Sequence, residues 1–232
     1  MRALIYAADD DSSLRSLLEM FLSDAGFDAK TFPTGDALLA AFRERPCDLA
    51  ILDVMMPGTD GIAVCKKLRE ASTVPVVLLT ARDSEIDYAA AFHSGSDDYV
   101  IKPFRPSLLV MKIKALLRRI RPEGGENAVE RLSFGDLSFD AGLRQARCGA
   151  GELPLTPTEL RLLAHLLRRG SQAVSRDELL GAVWGYGCQV ETRVADETVR
   201  RLRNKLAEAG SRSEVRTVWG FGYRLSEGGD SA

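Results

Sequence analysis

Four places in the first half of the chain put reactive side chains directly after an apolar run. Asp9, Asp10 and Asp11 follow Leu4–Ala8, Asp53 follows Ile51-Leu52, Thr80 follows Leu78-Leu79, and Lys102 follows Tyr99-Val100-Ile101. Carboxylates that converge repel one another unless a hard cation sits between them, and oxygen ligands with waters suit Mg²⁺. A lysine and a hydroxyl beside such an ion would hold the oxygens of a phosphoryl group. The combination fits phosphoryl transfer to or from a carboxylate. An aspartate after a strand also commonly caps the next helix, and Asp11, followed by Ser12, is read that way.

The elements that must position these groups are legible as a repeat of two patterns. Leu4–Ala8, Leu49–Leu52, Val76–Leu79 and Tyr99–Ile101 are short continuous apolar runs, as expected of strands buried on both faces of a parallel sheet. Between them Leu14, Leu17, Leu18, Phe21 and Leu22 recur at helical spacing, as do Ile62, Cys65 and Leu68, and Leu108 to Leu117 closes the half with a helix. This alternation predicts a doubly wound α/β domain, in which ligands collect at the carboxyl ends of the strands.

The breaker-rich stretch Arg121-Pro122-Glu123-Gly124-Gly125-Glu126-Asn127 reads as a linker. Beyond it, Leu132–Phe139 alternates like one half-exposed strand, with Arg144–Cys148 and Glu152–Leu155 as its partners in a small antiparallel sheet. Thr156, Pro157 and Glu159 form a capping-box start for a helix, Ser175 with Glu178 repeats the pattern, and a third helix is expected from about Thr192 to Ala209. Val215–Trp219 and Tyr223–Leu225, around Gly220 and Gly222, read as a terminal hairpin, so the second half is an α+β winged helix-turn-helix.

Composition bounds the function classes. At 232 residues, 45% hydrophobic and 28% charged, the chain is neither disordered nor repetitive, and has room for two domains. No apolar run reaches the ~18 residues of a membrane span, and the start lacks a signal-peptide pattern, so a cytoplasmic location is expected. Cys47, Cys65, Cys148 and Cys188 form no CxxC and, with His93 and His165, no zinc spacing; they read as reduced thiols. The net charge of −2 hides local polarity. The third helix carries Arg193, Arg200, Arg201, Arg203 and Lys205 against Asp196 and Glu197, with Val194, Thr198 and Leu202 on an apolar stripe, which suits entry into a DNA major groove.

Leu52-Asp53-Val54-Met55-Met56-Pro57-Gly58-Thr59-Asp60-Gly61, the Asp9-Asp10 pair, Thr80-Ala81 and Asp97–Phe104 resemble the receiver domain of bacterial two-component response regulators. Leu155–Leu163, Ser175–Leu180, Val183–Tyr186, Val199–Leu206 and Gly220–Leu225 resemble the effector domain of the OmpR/PhoB family. The resemblance implies a flavodoxin-like, five-stranded parallel receiver at 1–121, a linker at 122–131, a winged-helix effector at 132–226 and a tail at 227–232. It implies that Asp53 is the phosphoacceptor, that Asp9 and Asp10 hold Mg²⁺ with Asp53 and the Met55 carbonyl, that Thr80 and Lys102 contact the phosphoryl group, and that Tyr99 is the switch aromatic. Lys102-Pro103 is expected to be cis. It also implies that Arg193, Thr198, Arg200, Arg201 and Arg203 face DNA, and that residues 185–192 are offered to RNA polymerase. The implied partners are a histidine kinase, promoter DNA with direct repeats, and a second copy of the chain.

Two places depart from the family pattern. On the dimer face of the receiver, Tyr88 and Leu108 replace both ends of an expected salt bridge, beside Phe92 and with Lys112 retained, and His93 replaces an acidic residue. In the wing, Trp219 stands where many relatives have an arginine, and is expected to touch DNA with less sequence preference. A regulator that dimerises without phosphorylation is the alternative these changes suggest. A haloacid-dehalogenase-like phosphatase would want a second aspartate where Met55 stands.

Overall fold

The computed structural model describes residues 2–81, 95–120, 130–185 and 193–228, which fall into two compact units, 1–120 and 121–232. In the first unit five parallel strands, β1 (Leu4–Ala8), β2 (Asp28–Phe32), β3 (Leu49–Asp53), β4 (Val76–Ala81) and β5 (Asp98–Lys102), lie in the order β2-β1-β3-β4-β5. β1 and β3 are buried at every position, as their unbroken apolar runs require. β2, Asp-Ala-Lys-Thr-Phe, is an edge strand exposed on alternate residues, which is why it left no apolar run to read.

Helices α1 (Ser12–Asp24), α2 (Gly35–Glu44), α3 (Gly61–Ala71) and α4 (Pro106–Ile120) accompany the sheet. α1 and α4 bury Leu18, Leu22, Leu109, Ile113 and Leu116 against Ile5, Ala7, Leu49, Ile51, Val77, Leu79 and Val100. Each fully buried aliphatic chain in that set contributes ~1.5–3 kcal/mol. Asp11 caps α1 by accepting from the Ser13 and Leu14 amides at 2.8 and 3.4 Å, as its place before Ser12 suggested. The chain leaves β1 toward β2 on one side and returns to β3 on the other. That reversal opens a crevice at the carboxyl ends of β1 and β3.

The second unit starts with a four-stranded antiparallel meander, β6 (Arg131–Phe134), β7 (Leu137–Asp140), β8 (Gln145–Cys148) and β9 (Gly151–Leu153). The stretch 132–139, expected as one strand, is therefore a hairpin; it turns at Gly135, whose φ of +56° suits a residue without a side chain. β6 also begins inside the expected linker. Next come α5 (Pro157–Arg169), with the capping box of Thr156 and Glu159 formed, and the two-residue strand β10 (Val174–Ser175). α6 (Arg176–Leu179) runs into a π-helical turn over Leu180–Trp184, and α7 (Arg193–Glu208) follows. The hairpin of β11 (Ser213–Val218) and β12 (Gly222–Glu227) completes the sheet β10-β12-β11, extending one residue into the expected tail. Three helices against a terminal hairpin make a winged helix. No helix among the described residues is long and apolar enough to cross a membrane.

Candidate metal centre and candidate nucleic-acid interface

The crevice at the ends of β1, β3 and β5 collects the acidic site. Oxygens of Asp9, Asp10 and Asp53 lie within 4.8 Å of one another; Asp9 and Asp53 are buried and Asp10 is exposed. Lys102 crosses from β5 with its Nζ 2.7 Å from Asp9 Oδ2 and 3.0 Å from Asp53 Oδ2. The Lys102-Pro103 peptide that follows is cis. Burial pushes the Asp53 carboxyl up and Asp9 adds to this, outweighing the opposing pull of Lys102. Burial works against the Lys102 charge, but hydrogen bonds and attraction to the two carboxylates hold its pKa above the ordinary lysine value. Two aspartates share one ammonium, and a third adds its charge nearby. That donor set of hard, mutually repelling oxygens fits a divalent cation such as Mg²⁺.

The loops around Asp53 are tightly built. A Cβ at Gly61 would lie 2.0 Å from the Asp53 carbonyl oxygen, so the start of α3 is pressed onto the end of β3 in a way only glycine permits. Thr59 Oγ1 donates to both Asp36 carboxylate oxygens at 2.9 and 3.1 Å, tying the same loop to α2. Met55 is 64% exposed beside Asp53. Thr80 is buried, its hydroxyl donating locally to the Ala81 carbonyl at 3.3 Å. Tyr99 is buried as well, with Lys112 Nζ 5.7 Å from its ring centre.

On the expected dimer face, Leu108 of α4 is exposed, as is Met111 on the same helix, but Lys112 is not. It is a buried cation whose Nζ lies 2.7 Å from Asp98 Oδ1, so it serves the receiver's interior. Asp97 is likewise buried against Arg69 at 2.6 Å. Tyr88, Phe92 and His93 lie outside the described residues, as do residues 186–192 with Cys188.

On α7 the structure divides the basic residues. Thr198, expected to face DNA, is fully buried and donates to the Val194 carbonyl at 2.8 Å, because it falls on the apolar stripe. Arg203 turns toward the wing, with its Nε 2.6 Å from the Val215 carbonyl, one terminal nitrogen 2.8 Å from Thr217 Oγ1, and its guanidinium over the Tyr223 ring. Lys205 Nζ reaches Glu159 Oε2 at 2.7 Å and the Pro154 carbonyl at 2.6 Å; Arg201 lies 3.7 Å from Glu159 Oε1 with a side chain only 11% exposed. Arg200 remains on the outer side, 43% exposed and paired with Glu197 one turn back at 2.5 Å. Arg193 opens the helix, its side chain lying outside the described residues. At the wing tip Trp219 is 93% exposed.

Sequence reasoning saw Glu159 only as a cap and did not single out Asp196. That carboxylate accepts from Tyr223 and Arg176, at 2.5 and 3.0 Å, and pins α7 to the wing and to α6. Burial weakens the Tyr223 acidity first and Asp196 adds to it, so the phenol is pushed up to about 12.

A five-stranded parallel crevice of aspartates bridged by a lysine, followed by a winged helix, defines a response regulator with a DNA-binding effector. The model of the response regulator receiver domain matches residues 5–114, and that of the transcriptional regulatory protein C terminus matches residues 150–225. The chain belongs to the OmpR/PhoB family of two-component response regulators. It is 40% identical over 226 residues to the transcriptional regulatory protein CseB of Streptomyces coelicolor, covering 94% of this chain and 95% of that one. It is 41% identical over 225 residues to the DNA-binding response regulator MtrA of Mycolicibacterium smegmatis, covering 97% of each. Among solved structures, DrrB of Thermotoga maritima, an OmpR/PhoB homologue, matches with a TM-score of 0.51 at 29% identity, over 97% of this chain and 100% of that one. A RitR variant matches in fold with a TM-score of 0.75 at 24% identity, over the same shares.

Proposed function

We propose that this chain is a phosphorylation-regulated transcription factor that takes a phosphoryl group on Asp53 from a histidine kinase and then binds promoter DNA as a dimer. The observation that carries the reading is the placement of Asp53 between Asp9, Asp10 and Lys102. In this reading an Asp53 carboxylate oxygen attacks the phosphorus of the kinase's phosphohistidine; the P–O bond forms, the P–N bond breaks, and the imidazole leaves. Asp9, Asp10, Asp53 and the Met55 carbonyl would hold Mg²⁺, which would supply charge neutralisation for the transferring group. Lys102 holds a phosphoryl oxygen, and the Thr80 hydroxyl turns to donate to another. The same groups let the receiver use small phosphodonors and later hydrolyse its own acyl phosphate.

Arg200, on the outer side of α7, reads the major groove together with Arg193 at the start of that helix, and Trp219 contacts DNA from the wing. Leu108 lies on the dimer face of the receiver. RNA polymerase is met by residues 185–192, and the protein acts in the cytoplasm. An acidic pocket complete in all its parts favours phosphorylation over a regulator that ignores it. The test is incubation of the full chain with acetyl phosphate and Mg²⁺, read by intact mass. The parent gains one phosphate and Asp53→Asn gains none; equal phosphorylation of the two refutes the assignment.

A further inference from the structure

We infer that Arg15 is a positioning residue for the acidic centre, acting as a clamp on the backbone that carries Asp9 and Asp10. One terminal guanidinium nitrogen of Arg15 donates to the Asp9 carbonyl at 2.9 Å and to the Asp10 carbonyl at 2.9 Å. In an extended chain, consecutive carbonyls point to opposite sides, so two in a row can meet a single donor only where the chain bends sharply. Arg15, half-buried in the first turn of α1, reaches back and holds that bend.

The rest of the turn is held at other points. The Asp9 amide donates to Phe32 O at 3.2 Å, the Asp11 amide to Asp9 Oδ1 at 3.0 Å, and Lys102 takes the other Asp9 oxygen. These bonds fix Asp9 on both sides. Asp10, whose side chain is exposed, is held at its carbonyl by Arg15 and, through the Asp11 amide of the same peptide unit, by Asp9 Oδ1. Arg15 therefore shares in setting the backbone from which the Asp10 carboxylate faces the crevice. The guanidinium also brings a fixed positive charge beside a centre where three carboxylates repel one another. A group that orients metal-binding side chains in this way typically changes metal affinity 10–100-fold when lost.

The inference rests on the proposed phosphorylation site, and two variants of the full chain test it. Arg15→Met keeps the helix and the bulk but removes donor and charge; Arg15→Lys keeps the charge and one reach-back donor. Mg²⁺ alone is titrated calorimetrically into each, and acetyl-phosphate labelling is followed over a Mg²⁺ series. Arg15→Met should bind Mg²⁺ roughly tenfold more weakly. Its half-saturating Mg²⁺ for labelling should rise by the same factor, with the rate at saturating Mg²⁺ within about twofold of the parent, and Arg15→Lys should fall between. A purely helix-supporting residue would leave the Mg²⁺ affinity unchanged, and an unchanged affinity in Arg15→Met overturns the inference. Should that variant fail to fold by circular dichroism, Arg15→Lys carries the test, and parental affinity there is the overturning result. Failure of the underlying reading looks different: the parent itself neither binds Mg²⁺ nor is labelled, or Asp53→Asn is labelled as well as the parent.

Discussion

Glu159 offers the sharpest quantitative test of how α7 is held. Its carboxylate is 1% exposed, yet it faces Lys205 Nζ at 2.7 Å and Arg201 at 3.7 Å, both from α7, while also accepting the Thr156 amide at 2.9 Å. Burial opposes the charge, but Arg201 first, then Lys205, outweigh it and hold the carboxyl below its usual 4.5. Glu159→Gln keeps the capping geometry, since an amide oxygen can still accept from Thr156, and removes only the charge. A hydrogen bond to a charged group is worth ~1.5–3 kcal/mol. Lys205, 27% exposed, can regain water and pulls the loss down, whereas Arg201, 11% exposed, cannot and pulls it up.

The expected loss for Glu159→Gln is therefore about 2 kcal/mol, which at ~1.5–2 kcal/mol per molar urea moves the midpoint by about 1 M. Both tryptophans, Trp184 and Trp219, lie in the second unit, so fluorescence reports the unfolding of that unit alone. The pH dependence has a defined sign. A carboxylate whose folded pKa is depressed contributes its stabilisation above the unfolded value of 4.5 and loses it as pH falls below that value through the folded one, so the gap between parent and variant should narrow progressively as pH drops below 4.5. A midpoint within 0.3 M of the parent at neutral pH, or a gap that stays constant into acid, would refute the reasoning.

Three further outcomes follow from the same contacts. Arg203→Ala should cost the second unit ~1–3 kcal/mol through its lost bonds to Val215 and Thr217, yet leave the salt slope of DNA binding unchanged. A slope reduced by about one with stability intact would make Arg203 a phosphate contact instead. Gly61→Ala, whose Cβ meets the Asp53 carbonyl at 2.0 Å, should lose stability at or above the upper end of the ~1–3 kcal/mol of overpacking and slow acetyl-phosphate labelling; a parental melting curve speaks against it. Burial pushes the Cys47 thiol up to about 12 from 9.0, leaving on the order of a thousandfold less thiolate at pH 8. Peptide mapping after iodoacetamide should find Cys47 unmodified in the native chain and modified in denaturant.

Local rules carried the strand ends of the receiver and the helix caps of the effector. A strand buried on both faces must be an unbroken apolar run, so β1, β3 and β4 announced themselves and placed Asp9, Asp53 and Thr80 at their carboxyl ends. Thr156 with Glu159 announced α5, because a capping box needs only residues three apart. β2 was silent, because an edge strand such as Asp28–Phe32 has no need to be apolar throughout. The alternation of 132–139 hid a hairpin, because Gly135 turns the chain while Phe134 and Leu137 stay opposite each other on one face.

What the tertiary structure alone decided is which charges go where. Helical spacing gives the direction of Arg200, Arg201, Arg203 and Lys205 around α7, but these are long, flexible side chains whose partners are set by folding. Lys205 and Arg201 end on Glu159 and Arg203 on Val215, while Lys112 ends on Asp98 inside the receiver and Arg15 on two carbonyls. Arg200, with a side chain 43% exposed, ends on Glu197 of its own helix. Such pairings depend on chain segments up to 46 residues apart meeting in space, and no local pattern records them.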